Sequence, residues 1–391
     1  MLRITYVLWV FCLLASLLSA CQPAPAPAPL PAATAIPPTA TAAPPTATEP
    51  PPPTATTAPT PVAAAPTPRP TVAAPQMTLK TDQITSAALA GNLFGDPATR
   101  PFNVLLPPSY DTSEARYPVV YVLHWFGGDE STFVWKFKAA MDKLLAAGAV
   151  EEMILVFPNA NNRLGGSMYL SSPAIGDYET YIAQELVGYV DANYRTLAQP
   201  DSRGITGCSM GGDGSIHLAL KYPAVFSVAA PDSATYDYSQ DPTLPVAVAD
   251  LRAEPADLDA IVENPFSHAI GWYAGAAAAA ANPDNPPFYF DLPFTVVDGK
   301  GQVVQEVIDR IVATDPVHDL ERYRQGTDRL RAVMLYHGEF DAYAPIEGAR
   351  AFGERLAEAG VDYDLVEVME AHCELDYAPI LQFMSEHLVQ E

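Results

Sequence analysis

The chain has 391 residues, 49% hydrophobic and 17% charged, with a formal charge of −25 at pH 7. That length and apolar content exclude a peptide ligand and a wholly disordered chain. The acidity excludes nucleic acid as a partner, because such a surface repels phosphate backbones.

The first elements in chain order belong to export. Met1-Leu2-Arg3 opens with a positive charge and residues 6–18 form an apolar core, the pattern of a signal peptide over residues 1–20. It ends in Leu18-Ser19-Ala20-Cys21, which is similar to the lipobox of bacterial lipoproteins. That resemblance implies acylation of Cys21 and a lipid anchor, with the protein on the cell surface or the periplasmic face. Residues 22–75 hold 19 of the 40 prolines, mixed with Ala and Thr, and their charges Glu49 and Arg69 cancel. Such a segment cannot bury enough surface to fold, and it is expected to be an extended tether reaching on the order of 150 Å.

Residues 76–391 carry the charge and are expected to form one catalytic domain. No apolar run there approaches the roughly 20 residues of a membrane helix. Residues 117–124 (YPVVYVLH) and 152–158 read as strands buried on both faces. Residues 180–194 have helical spacing, 202–208 lead as a strand into a helix at 209–222, and 226–231 form a short strand. Residues 331–337 and 366–369 are further strands, with helices at 344–359 and 377–388. This alternation predicts an α/β fold, a mostly parallel sheet with helices on both faces. The rhythm breaks over about residues 232–325, rich in Pro, Ala and aromatics, which are expected to be an insertion capping one end of the sheet.

The strongest local signal is Gly207-Cys208-Ser209-Met210-Gly211-Gly212, between a strand and a helix. A G-x-S-x-G elbow holds its serine in a strained turn with the hydroxyl projecting above the sheet. Ser209 is therefore the candidate nucleophile, and it needs a base and an orienting carboxylate later in the chain. Of the seven histidines, His372 follows the last strand in a loop from which it can reach Ser209. The preceding strand ends in His337-Gly338-Glu339-Phe340-Asp341, making Asp341 the candidate acid and Glu339 its alternative. An oxyanion needs two N–H donors. Met210 supplies one, and the loop His124-Trp125-Phe126-Gly127-Gly128 the other, from Phe126 or alternatively Trp125. Metal ligation lacks a pattern, with no H-x-x-x-H and no paired C-x-x-C, and no nucleotide-binding glycine motif is present. No metal and no cofactor is expected.

In this order, YVLHWFGGD at 121–129, SSPAIGDYETYI at 171–182, the elbow, Gly338–Asp341 and Ala371-His372 resemble the Putative esterase family of α/β-hydrolases. That family includes esterase D, bacterial feruloyl and acetyl esterases and the antigen 85 mycolyltransferases. The resemblance implies an α/β-hydrolase fold and acyl transfer from a small-molecule or polysaccharide-linked ester, usually to water through a Ser209–His372–Asp341 triad. An acyltransferase with the same triad, or a surface binding module without chemistry, are the alternatives. Where the family has His-Gly, this chain has His124-Trp125, so Trp125 is expected to narrow the substrate pocket, with Tyr178 also placed there. Once Cys12 leaves with the leader and Cys21 is acylated, Cys208 and Cys373 remain, flanking nucleophile and base. The arrangement is similar to tannases and fungal feruloyl esterases, which implies a Cys208–Cys373 disulfide.

Overall fold

A computed structural model describes residues 76–263, 267–374 and 376–391. The signal peptide, Cys21 and the tether lie outside the described residues. Eight strands form the central sheet: β1 Thr78–Thr85, β2 Thr99–Leu106, β3 Val119–Leu123, β4 Ile154–Pro158, β5 Arg203–Cys208, β6 Val228–Asp232, β7 Ala332–Gly338 and β8 Tyr363–Val368. Their order is β1-β2-β4-β3-β5-β6-β7-β8. β1 pairs with β2, and β2 with β4, antiparallel; every later pairing is parallel.

Alternation along the strands builds two cores. Val119, Tyr121 and Leu123 of β3 enter one cluster, and Val120 and Val122 the other. Helices α1 (Val134–Ala146) and α7 (Ala378–His387) cover the second face, where Phe137 and Tyr377 stack at 4.5 Å. The first face takes α2 (Met210–Lys221), which packs on β5 and β6. Between β6 and β7 come α3 (Ala269–Ala279), a hairpin Phe294–Val297 with Lys300–Val303, α4 (Gln305–Val312) and α5 (Pro316–Tyr323), after shorter turns of helix. Helix α6 (Ile346–Glu358) joins β7 to β8.

The expected elements occur in the expected order, with ends shifted by up to three residues. Two differences have physical causes. Strands β1 and β2 were not anticipated: TLKTDQIT is largely exposed, and Pro101 interrupts the second run. The run at 180–194 contains a π-helical turn, Tyr181–Leu186, before α-helix resumes at Val187–Asn193. Among the described residues no helix is long and apolar enough to cross a membrane.

The order also places the site. From β3 the chain crosses to β4 on one side, and from β5 to β6 on the other. Ligand sites of open α/β sheets lie at the carboxyl ends of strands where the direction reverses. Here those ends carry the Trp125-Phe126 loop and Ser209.

A buried ion cluster fastens the elements beneath. His217 on α2 faces Glu179 Oε1 at Nε2 (2.9 Å) and Asp319 of α5 at Nδ1. Lys221 and Arg322 complete it on the outer oxygens. Carboxylates only accept, so His217 holds both protons. Burial alone would push its pKa down, but the bonds to Asp319 and Glu179 outweigh this and hold the imidazolium above its ordinary range. Its stabilisation is therefore full below the unfolded value near 6.5 and lost as pH rises through the raised folded value. His217→Gln, which can satisfy only one carboxylate, is expected to cost about 3 kcal/mol at pH 6 by urea unfolding. The deficit should shrink by pH 9; equal deficits at both would refute this charge state.

Candidate active site

Ser209 stands between β5 and α2 with φ 58° and ψ −123°, a conformation few non-glycine residues adopt. The turn is possible because Gly207 lacks a side chain: a Cβ there would lie 2.5 Å from Gly211 O and 2.6 Å from Leu123 O. The Ser209 amide donates to Asp232 O at 3.0 Å, tying the elbow to the end of β6.

The candidate base and acid lie in the loops after β8 and β7. His372 Nδ1 lies 2.7 Å from Asp341 Oδ2. Asp341 Oδ1 accepts the amides of Tyr343 (2.9 Å) and Ala344 (2.8 Å). Burial pushes the Asp341 carboxyl up, but His372 and these two amides outweigh it and hold it below the usual carboxylate range. An ionised Asp341 fixes the proton on Nδ1 and leaves the Nε2 lone pair for the substrate side. Glu339, the alternative acid, is exposed at the end of β7 and does not contact the base. His337 backs the pair: it is buried, its Nε2 donates to Ala344 O at 2.6 Å, and burial pushes its pKa down. Asp232, buried behind the triad without a partner on Oδ2, is pushed up to about 7 by burial.

Ser209, His372, Met210 and Phe126 line one cavity of about 150 Å³. Among the described residues no hydrogen bond joins Ser209 Oγ to His372; in unliganded enzymes such contacts are often long and tighten around substrate. Cys208 and Cys373 are joined by a disulfide with Cα atoms 5.9 Å apart, coupling the nucleophile turn to the base loop. The Cys373 amide donates to Ser233 Oγ at 3.3 Å. The bridge closes a 165-residue separation. Chain-entropy counting makes it worth up to about 5 kcal/mol. The double variant Cys208→Ser/Cys373→Ser is expected to melt on the order of 7 °C lower. An unchanged Tm in calorimetry would show that the bond contributes nothing to stability.

The loop that carries the candidate oxyanion donor Phe126 is held by His124. Burial pushes His124 down to about 4, so it is neutral. Its Nδ1 lies 2.8 Å from Trp125 O and its Nε2 accepts the Ala160 amide at 2.9 Å. Those two bonds fix one tautomer and brace the turn before Phe126. Gly127 N donates to Gly165 O at 2.7 Å, and a Cβ on Gly166 would lie 2.5 Å from Met210 Sδ and 2.7 Å from the Phe126 ring. The pair Gly165-Gly166 was the available signal for this support. Met210 N–H is the first orphan amide of α2, and Met210 and Phe126 both line the cavity.

Two expected pocket residues are corrected. The Trp125 ring is half-buried, packs edge-on against Phe133 at 5.0 Å beside the core on the α1 face, and does not line the cavity. Tyr178 is fully buried, taking a hydrogen bond from Arg100 (2.5 Å) and giving one to Asn161 O (3.1 Å). The walls come instead from the segment between β6 and β7: Tyr238, Asp241, Thr243, His268, Trp272, Gly275 and Ile311. Asp213 on α2 anchors that segment, accepting the Thr235 amide at 2.7 Å, and burial pushes its carboxyl up to about 7. Among the described residues no group of three or more His, Cys, Asp or Glu is arranged to hold a metal ion.

The sheet order and its helices are those of an α/β-hydrolase fold. Residues 97–284 match the sequence model of the family described as Putative esterase. The chain is 28% identical over 285 residues to Esterase Rv1288 of Mycobacterium tuberculosis, covering 69% of this chain and 52% of that protein. It therefore spans about half the length of that curated relative. It is 31% identical over 132 residues to an endo-1,4-beta-xylanase/feruloyl esterase of Xylanibacter ruminicola, 32% of this chain and 18% of that one. A solved structure of a ferulic acid esterase superposes with a TM-score of 0.54 at 21% identity, over 80% of this chain and 99% of that chain. The chain is thus similar to the Putative esterase family of α/β-hydrolases over just under half of its length.

Proposed function

We propose that this chain is a serine carboxylic-ester hydrolase working through an acyl-enzyme. The observation that carries the reading is Ser209, at positive φ on a strand-to-helix turn, lining one cavity with His372, whose Nδ1 is hydrogen-bonded to Asp341. Ser209 Oγ attacks the acyl carbonyl as its proton passes to His372 Nε2, and Asp341 stabilises the imidazolium. The Met210 and Phe126 amides receive the oxyanion. His372 then protonates the leaving alcohol, and water releases the acid by the same steps reversed.

The cavity supports a modest apolar acyl group. A 150 Å³ apolar cavity is large enough for benzene. Phe126, Met168, Trp272 and Ile311 give the walls an apolar body. A short apolar acyl chain or a single aromatic ring fits that space. In this reading Cys21 carries the lipid and residues 22–75 hold the enzyme away from the membrane surface. Purified protein offered a panel of nitrophenyl acyl esters and methyl hydroxycinnamates is expected to hydrolyse them with a nitrophenol burst where deacylation is slow. Silence from folded protein across the panel would sink the reading.

A further inference from the structure

Tyr343 belongs neither to the triad nor to the segment that walls the cavity, yet it touches both. It follows Asp341 by two residues, and its amide donates to Asp341 Oδ1. Its ring lies 5.1 Å from the ring of His372, tilted 45°, and 6.3 Å from that of His268, nearly parallel at 23°. All three line the cavity that holds Ser209. The ring is nonetheless 52% exposed, whereas Trp272 and Tyr238, also lining the cavity, are buried.

An acyl group larger than the cavity must displace some wall. Close-packed walls such as Trp272 give little, because moving them opens voids elsewhere. The Tyr343 ring has water behind it and is the wall that yields. Its displacement uncovers His372 and pulls on the backbone whose amide holds Asp341. The penalty then falls on the acid–base pair during reaction more than on binding.

We propose that Tyr343 sets the acyl-size limit of this chain and transmits an oversized acyl group to the His372–Asp341 pair through its own backbone. The proposal rests on the ester-hydrolase reading above. It makes Tyr343 a specificity and positioning residue, since it takes no part in bond making.

The test is steady-state kinetics of the full chain on nitrophenyl esters of straight-chain acids from two to twelve carbons. Wild type should lose about tenfold or more in kcat beyond about six carbons, the size of the benzene such a cavity admits, with KM little changed. Tyr343→Ala should move that fall to chains several carbons longer. Tyr343→Trp should move it to shorter ones, and Tyr343→Phe should keep the wild-type limit. A folded Tyr343→Ala protein with the wild-type limit would overturn the proposal. So would a wild-type decline confined to KM. If the alanine variant does not fold, the Trp and Phe variants decide by the same criterion. Absence of turnover at every chain length in wild type would instead count against the hydrolase reading itself.

Discussion

Ser209→Ala is expected to lower kcat on a short nitrophenyl ester by about 10⁶-fold, to the residual rate that binding and the oxyanion donors supply. Alanine suffers at φ 58° much as serine does, so the turn should survive and Tm should stay close to wild type. Ser233, at the end of β6, offers no replacement: it is buried and its Oγ is committed to Asp232 Oδ1 and the Cys373 amide. A variant retaining more than about one part in a thousand of the activity would mean that another group is the nucleophile.

Asp341→Asn is expected to cost about 10⁴-fold in kcat while leaving the fold intact. Asparagine is isosteric, and its carbonyl can still accept the Tyr343 and Ala344 amides that hold Asp341 Oδ1. The amide then points its NH₂ at His372 Nδ1 and selects the opposite tautomer. That puts the proton on Nε2, where the serine proton must go. KM should change little, because Asp341 is buried and does not line the cavity. A loss under tenfold would assign the orienting role elsewhere, with Asp232 the nearest buried carboxyl.

The nucleophile turn and the loops bearing His372 and Asp341 were legible because each rests on a local pattern. Glycines flank Ser209, and base and acid follow the last two strands. What escaped depends on contacts between segments far apart in the chain. His124 acts through Ala160, 36 residues on, and no spacing rule connects them. The glycines at 165 and 166 have meaning only once Phe126 and Met210 are packed over them. Trp125 was misplaced because its side chain goes where Phe133 offers a partner, not where its neighbours in sequence lie. The alternating strands and helices fixed the parallel half of the sheet, whereas β1 and β2, polar and Pro-interrupted, left no comparable trace.

The chain between β6 and β7, residues 233–331, stands where a single crossover helix would suffice to join two adjacent parallel strands. Lengthening such a crossover costs little in loop entropy. On the proposed reading, reaction and selection then fall to different stretches of polypeptide: Ser209, His372, Asp341 and the proposed oxyanion donors lie outside it, and most of the cavity wall lies within. That separation makes the segment a natural cassette for engineering. If the proposed ester hydrolysis holds, exchanging it for one of another length and composition would change the acids the site accepts and leave Ser209, His372 and Asp341 in place.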